Sequence, residues 1–427
     1  MSDIMKSIPF GQLAEWILEE HRKSGQVFGI QKAYVADQEK TIEIFGRKLE
    51  NPVGPAAGPH TQLAQNLVAA YFAGARFFEL KTVQKMDGPD LSACIPKPCI
   101  VAEDEAYNCE WSTELYVPQA MEEYIKGWML IHVIAKEFGL GSPDGFQFNM
   151  SCGYNLEGIK DKKIDDFIEG LKDARDTEVF KECRNWLLEH VDLFEHVTRE
   201  DIEAIPAEIC NSITLSTMHG CPPQEIENIV MYLLTEKHIN TYVKCNPTLL
   251  GYEFVREAMD NLGYDYMAFT DFHFKDDLQF EDAVPMLKRL MDAAAQEGLS
   301  FGVKLTNTFP VDTKRGELPG DEMYMSGKAL FPLSITVAAR LAEAFDGKLP
   351  MSFSGGGIWP VTVATGLLKP GGYKWMTRIA EKAGECQPGK SGEVSVEKVK
   401  KLAEEALKDP HYQSTPKKAG KKMEGNA

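Results

Sequence analysis

The run Asn51-Pro52-Val53-Gly54-Pro55-Ala56-Ala57-Gly58, followed one βα unit later by Phe77-Phe78-Glu79-Leu80-Lys81-Thr82, decides the fold. The first run reads as a short apolar strand that ends in small residues. Small residues at a strand's C-terminal end let a flat, bulky ligand approach the backbone, because no side chain intervenes. The second run reads as another buried strand, and it ends on a lysine. A lysine at that end of a barrel strand points into the site where barrel enzymes do chemistry. The two runs together read as the floor of a cofactor site.

Working outward, residues 9–24 carry Phe10, Leu13, Trp16 and Ile17 at helical spacing, and a strand pair turning at Gly46 delivers the chain into Asn51. Residues 62–73 read as the first barrel helix. Further strand candidates are 146–150, 213–216, 241–244, 264–272, 299–308, 351–354 and 361–365, with a helix over 224–237 whose start is marked by Pro222 and Pro223. Strand and helix alternate, which predicts an α/β fold closed as a (β/α)8 TIM barrel. With the two opening runs the strand candidates number nine, one too many; the one outside the barrel is 213–216, 264–272 or 299–308. Residues 86–145 and 161–210 are too long for βα loops and read as two helical insertions. The resulting division is 1–50, a helix and strand pair capping the barrel; 51–375, the barrel with its insertions; 376–408, a helical segment; and 409–427, a disordered basic tail.

The chain of 427 residues has a net charge of −18, which argues against a nucleic-acid or anionic-membrane partner. No apolar run is long enough to span a bilayer, and Met1-Ser2-Asp3-Ile4-Met5 does not open a signal peptide, so the expected compartment is the cytoplasm. The nine cysteines, at 94, 99, 109, 152, 183, 210, 221, 245 and 386, show no C-x-x-C spacing and no pairing with nearby histidines, so neither a zinc site nor an iron–sulfur cluster is expected from this chain alone.

The late strands carry a phosphate signal. Ser354-Gly355-Gly356-Gly357 closes one and Ala364-Thr365-Gly366 the next, where barrels build phosphate sites from backbone N–H groups. Lys81, Lys244 and Lys304 all fall at strand ends, and a buried cation needs an anionic partner; the negative N1/O2 edge of a reduced flavin would supply one. Asn149, Asn155, Asn307 and Thr308 stand at or past strand ends, and an amide offers both donor and acceptor to a heterocyclic ring. Two loops could supply a proton: Ser151-Cys152-Gly153, and Ser216 to Cys221 with His219 and Cys221. Spacing alone leaves Cys152, His219 and Cys221 open.

These residues resemble a family. Asn51 to Gly58, Lys81, Lys244 and Ser326 to Leu333 are similar to the FMN barrel of dihydroorotate dehydrogenases, and more so to the pyrimidine-reducing part of dihydropyrimidine dehydrogenase. Asn149-Met150-Ser151-Cys152 resembles that enzyme's Asn-Leu-Ser-Cys run, whose asparagine holds the pyrimidine and whose cysteine is the acid, and Asn307-Thr308 resembles its substrate-holding pair. The resemblance favours Cys152 as the acid. Gly58 to Asn66, Leu215 to Pro223 and Met323 to Gly327 resemble most the N-terminal part of the selenate reductase subunit family, found with purine-catabolic genes; the likeness runs to about residue 375. It implies non-covalent FMN held by Ala56, Ala57, Gly58, Lys81, Thr82, Lys244, Lys304, Gly355, Gly356, Ala364 and Thr365. It also implies a small heterocyclic substrate, urate before a pyrimidine before selenate, and electrons from a separate subunit carrying FAD and iron–sulfur clusters, which long relatives carry on the same chain. Two sequence departures stand out. Gly153-Tyr154-Asn155 replaces Pro-His after the cysteine, and no helix-length segment separates Gly357 from Ile358-Trp359-Pro360, where relatives have one. Alternative readings are a non-catalytic barrel subunit of the complex, a selenate reductase subunit, and a phosphate-binding barrel enzyme without flavin.

Overall fold

The computed structural model describes residues 5–37, 39–103, 105–109, 112–217, 219–353, 358–385 and 394–415. Helix Phe10–Ser24 buries Phe10, Leu13, Ala14, Ile17 and Leu18, and it stops at Gly25, whose left-handed φ of 68° lets its N–H return to the His21 carbonyl. Strands β1 (Ile42–Ile44) and β2 (Arg47–Leu49) form an antiparallel hairpin turned at Phe45 and Gly46. The Asn211 amide donates to the Phe45 carbonyl at 2.8 Å, and Arg47 donates to the Ile209 carbonyl at 3.0 Å. The hairpin is thereby fastened to the entry of a barrel strand, at the barrel's N-terminal end.

The centre is a parallel sheet of eight strands: β3 (Val53–Pro55), β4 (Phe77–Glu79), β7 (Gln147–Cys152), β8 (Cys210–Ser216), β9 (Asn240–Cys245), β10 (Phe301–Leu305), β13 (Met351–Phe353) and β14 (Val361–Val363), in the order β3-β14-β13-β10-β9-β8-β7-β4. The two edges meet: the Arg76 N–H donates to the Val53 carbonyl at 2.8 Å. Gly54 makes that approach possible, because a Cβ on it would lie 1.6 Å from the Phe77 carbonyl oxygen. Arg76 is fully buried beneath the seam, paired with Glu50 at 2.6 Å and donating to the Tyr71, Ala75 and Leu140 carbonyls. The fold is a TIM barrel, as the strand–helix alternation predicts.

The described residues correct several boundaries. The segment 264–272 holds no strand; the Tyr264 and Met267 carbonyls are bonded by Arg256 instead of by a neighbouring strand. It is the surplus candidate, and 213–216 and 299–308 contribute β8 and β10. Helix Val117–Glu137 connects β4 to β7 and packs on helix Ala64–Phe72 and on helix Lys162–Lys172, so it is a barrel helix and only the part of 86–145 before it is added. Lys162–Lys172 likewise belongs to the barrel layer, which narrows the second insertion to the helices Glu178–Glu189 and Arg199–Glu203. The last barrel helix is Gly372–Glu385, so a boundary at 375 would cut it.

The expected tail, 409–427, is corrected in its first part. Residues 409–415 pack against the barrel: the Tyr412 ring stacks on Phe331 at 4.6 Å, and Ser414 donates its N–H to the Leu262 carbonyl at 2.8 Å. The remainder, 416–427, lies outside the described residues. Only residues 354–360 lie between β13 and β14, too few for the usual crossover helix of parallel strands.

A second, antiparallel sheet is built by β5 (Ile100–Ala102), β6 (Glu105–Asn108), β11 (Phe309–Asp312) and β12 (Glu322–Gly327), in the order β11-β12-β6-β5. It draws on the loops that leave β4 and β10 and lies over their C-terminal ends. No helix among the described residues is long and apolar enough to cross a membrane.

Candidate functional site

The strand ends and the small sheet enclose a cavity of about 650 Å³, within the range of about 300–1,000 Å³ typical of small-molecule sites. Its barrel side is made by Ala56, Ala57, Gly58, Lys81, Thr82, Lys244 and Lys304, and its far side by Ala364 and Thr365. Asn307 and Thr308 line it after β10, Ser326 and Gly327 close it from the small sheet, and His411 and Tyr412 border its mouth. Gly355 and Gly356 lie outside the described residues.

The charges in the floor divide into two groups. Lys304 is almost wholly buried and pairs with Glu79 at 3.1 Å, while its ammonium also donates to Thr362 and to Ser352 at 3.2 Å. Thr362 in turn donates to the other Glu79 oxygen at 3.0 Å. Burial alone would raise the Glu79 carboxyl, but the Lys304 and Lys244 ammoniums hold it below the usual carboxylate range. Lys304 therefore has its anion within the protein, which corrects the expectation that a cofactor must supply one. Glu79 was missed as a functional residue, although one carboxylate inside Phe77-Phe78-Glu79-Leu80 was the signal.

Lys244 is different. Among the described residues its ammonium has no hydrogen-bond or ion-pair partner. Burial pulls it down to about 8, against the favourable pull of Glu79 and with the repulsion of Lys304 and Lys81 added. Among the described residues the floor sets Lys81, Lys244 and Lys304 beside the one carboxylate Glu79, and Lys244 faces an open volume.

The small-residue ends do what bulk would prevent. A Cβ on Gly58 would come within 2.8 Å of the buried His60 ring, so the backbone here has no room for a side chain. Burial and the nearby Lys81 push His60 down to about 4, so it is neutral and adds no charge. Thr82 bonds Ser151 at 2.9 Å, and Thr365 bonds Ser326 at 3.0 Å, tying the far wall to the small sheet.

The structure sets apart five residues that the sequence had grouped with the site. Strand alternation places Gln147, Asn149 and Ser151 toward the barrel interior, so Phe148, Met150 and Cys152 face the helix layer, where Phe148 packs on Trp128. Cys152 is 0% exposed, and burial pushes its thiol up to about 12. It ends a strand instead of riding on a loop, since the Gly153 N–H is bonded to the Val83 carbonyl. Asn149 donates to Thr214 at 2.8 Å and does not line the cavity. Asn155 is exposed and caps helix Leu156–Ile159 by accepting from the Gly158 N–H. His219 and Cys221 do not line the cavity; burial, with the charges of Glu225 and Asp277, pushes Cys221 up to about 11.

Asn307 is the amide that does reach the cavity, and its setting was not foreseen. It donates to Asn246 at 2.7 Å, and Asn246 donates to the buried Asp277 at 3.1 Å. Asn246 follows Lys244-Cys245 at a strand end, which was a readable signal. Asp277 was not readable, because it sits in a loop far along the chain.

Fold and cavity together define a TIM barrel with its candidate site at the C-terminal face, where barrel enzymes carry theirs. The chain belongs to the family described as Oxidoreductase YgfK, N-terminal TIM-barrel domain, whose model matches residues 28–414. It is 48% identical over 433 residues to proteins named "Putative oxidoreductase YgfK" in Escherichia coli K12 and in Escherichia coli O157:H7, covering 95% of this chain and 42% of each relative. The chain thus spans about two fifths of the length of these relatives. Among solved structures it is similar to ligand-free DHODH from Eimeria tenella, at 15% identity and a TM-score of 0.45 over 94% of this chain and 92% of that one. It is also similar to DHODH from Eimeria tenella in complex with ferulenol, at 13% identity and a TM-score of 0.42 over 93% of this chain and 96% of that one.

Proposed function

We propose that this chain is the FMN-binding barrel of an oxidoreductase that reduces a C=C or C=N bond of a nucleobase-like heterocycle. The observation that carries the reading is the Lys244 ammonium, without a partner among the described residues, beside side-chain-poor strand ends in a cavity of about 650 Å³. The residues fit the group. Ala56, Ala57 and Gly58 leave space for a flat ring, Lys244 and Lys81 face the place for its anionic edge, and Ala364 and Thr365 stand where a phosphate would be held. Bound there, FMN supplies a hydride to an electron-poor double bond.

The chain's own part is to hold and orient. Asn307 and Thr308 present an amide and a hydroxyl to the ring's amide edges, and a site built for such bonds rejects rings that lack them. An oxidised purine such as urate is the preferred substrate, a pyrimidine the second; selenate would leave these groups largely unused. Electrons come from a partner subunit carrying FAD and iron–sulfur clusters, a reading supported by the family resemblance; the 427 residues here hold no dinucleotide fingerprint and no cluster spacing of their own.

Single-turnover reoxidation of the reduced, FMN-loaded protein tests the substrate class. Urate or uracil should reoxidise it and selenate should not; reoxidation by selenate alone would overturn the heterocycle reading. Robust NAD(P)H-dependent turnover by this chain by itself would overturn the separate electron donor.

A further inference from the structure

The amide that reaches the cavity, Asn307, has its polarity set from outside the cavity. The setting begins at Asp277, which is 4% exposed and accepts four hydrogen bonds. At Oδ1 it takes the Gly220 N–H at 2.8 Å; at Oδ2 it takes Thr248 at 2.6 Å, His219 Nδ1 at 2.7 Å and Asn246 at 3.1 Å. Burial alone would raise this carboxyl, but the bonds from His219, Thr248 and Gly220 hold it below the usual range. An ionised carboxylate can only accept.

The two ends of an amide side chain are told apart by what faces them. Asn246 meets the carboxylate with its NH2 group, so its oxygen is turned the other way, toward Asn307. Asn307 in turn meets that oxygen with its own NH2 group, at 2.7 Å. The Thr217 carbonyl, at 3.5 Å, is a second acceptor beside the same NH2 group and favours the same orientation. With both N–H bonds of Asn307 directed at protein acceptors, its oxygen is what it has left to offer. Among the described residues that oxygen meets only the Ser216 hydroxyl, at 3.4 Å, a long bond for two oxygens. Ser216 and Asn307 both line the cavity.

We propose that Asp277 is a positioning residue for the substrate, fixing Asn307 through Asn246 as a hydrogen-bond acceptor. The site then takes rings that present a lactam-type N–H at this wall. It discriminates against rings with a bare nitrogen or an N-methyl group there, because an acceptor facing either is left unpaired. The assignment rests on the flavin and heterocycle reading above and adds the edge by which the ring is read. Asp277 itself does not line the cavity.

The relay can also be reversed as a unit. The Gly220 N–H can only donate, so in Asp277→Asn the amide oxygen is held there and the NH2 group faces Asn246. Asn246 then turns its oxygen toward position 277 and its NH2 group toward position 307. The carboxylate of Asn307→Asp suits that reversed relay, whereas in the native one it would oppose the Asn246 oxygen.

The test measures FMN uptake by absorbance, then calorimetric binding of urate and of uracil to the FMN-loaded protein, each against its fully N-methylated form. Wild type should prefer the parent ring by about tenfold or more, the size expected when an acceptor covered by ligand loses its N–H partner. Asp277→Asn should take up FMN as wild type does and lose most of that preference, and Asn307→Asp should bind the parent ring more weakly. The two substitutions combined should bind it more tightly than either alone, a rescue that a merely structural Asp277 would not show. Asn246→Leu leaves Asp277 its other three donors and should also weaken the preference, which covers the case in which Asp277→Asn fails to fold. Failure of wild type to take up FMN would sink the flavin reading and this assignment together. FMN uptake without binding of either parent ring would end the heterocycle reading and the assignment with it. FMN uptake with the preference intact in Asp277→Asn or Asn246→Leu, or a double variant no better than its singles, would overturn the assignment alone.

Discussion

Lys244 is the residue on which the electrostatics of the cavity turn. Its free-state value of about 8 reflects burial that Glu79 only partly offsets. An anion bound beside it favours the ammonium, so binding raises that value and takes up a proton at any pH between the two. Affinity for FMN should accordingly be flat below about pH 8 and fall as pH rises above it, and the fall should vanish in Lys244→Met, which should also bind at least tenfold more weakly. Fluorescence titrations between pH 7 and 9.5 check this; equal pH dependence in wild type and variant would remove Lys244 from the site. Glu79 makes a stability prediction. Glu79→Gln strands the Lys304 ammonium in the barrel, and breaking a buried pair from one side costs about 3–5 kcal/mol. Thermal and denaturant unfolding should show a loss of that order. Because the folded-state Glu79 carboxyl is lowered, its stabilising effect is present above the ordinary carboxylate range and fades as pH falls through its folded value, so the wild type and Glu79→Gln should converge in acid.

Element by element, legibility follows how local the determining physics is. Asn51 to Gly58 and Phe77 to Thr82 could be read because a short apolar strand and a small-residue end are both properties of adjacent residues. Gly54 carries the seam between β3 and β4, and Gly54→Ala should destabilise strongly, since the rigid backbone at Phe77 cannot yield to a Cβ 1.6 Å away. A cost of about 3 kcal/mol or more in denaturant unfolding is expected; near-wild-type stability would mean that the seam opens without penalty. The surplus strand at 264–272 was misread because Tyr264 to Phe272 is rich in aromatics, while of its described residues Ala268 alone bridges a strand, at Asp312, and the Tyr264 and Met267 carbonyls accept from Arg256. Cys152 was misread because the family likeness was one of motif, whereas its orientation depends on how far β7 continues, and β7 runs through residue 152. The small sheet went unseen: its strands come from two distant loops, and antiparallel pairing such as Tyr324 with Asn108 leaves little periodic trace in either.

At the scale of the whole molecule, a barrel gathers at one face residues that the sequence scatters from Ala56 to Tyr412. The strand-end lysines were legible because each ends an apolar run. The network of His219, Asn246, Asp277 and Asn307 was legible only in pieces, since nothing in the sequence links residue 277 to the loops after β8 and β9. The central claim is that the cavity holds FMN, and a visible-spectrum titration of the purified chain with FMN tests it most directly. The account predicts a bound flavin spectrum with structured, shifted bands at one FMN per chain, abolished or much weakened in Lys244→Met. Fully folded protein that stays colourless and leaves the FMN spectrum unperturbed would contradict it.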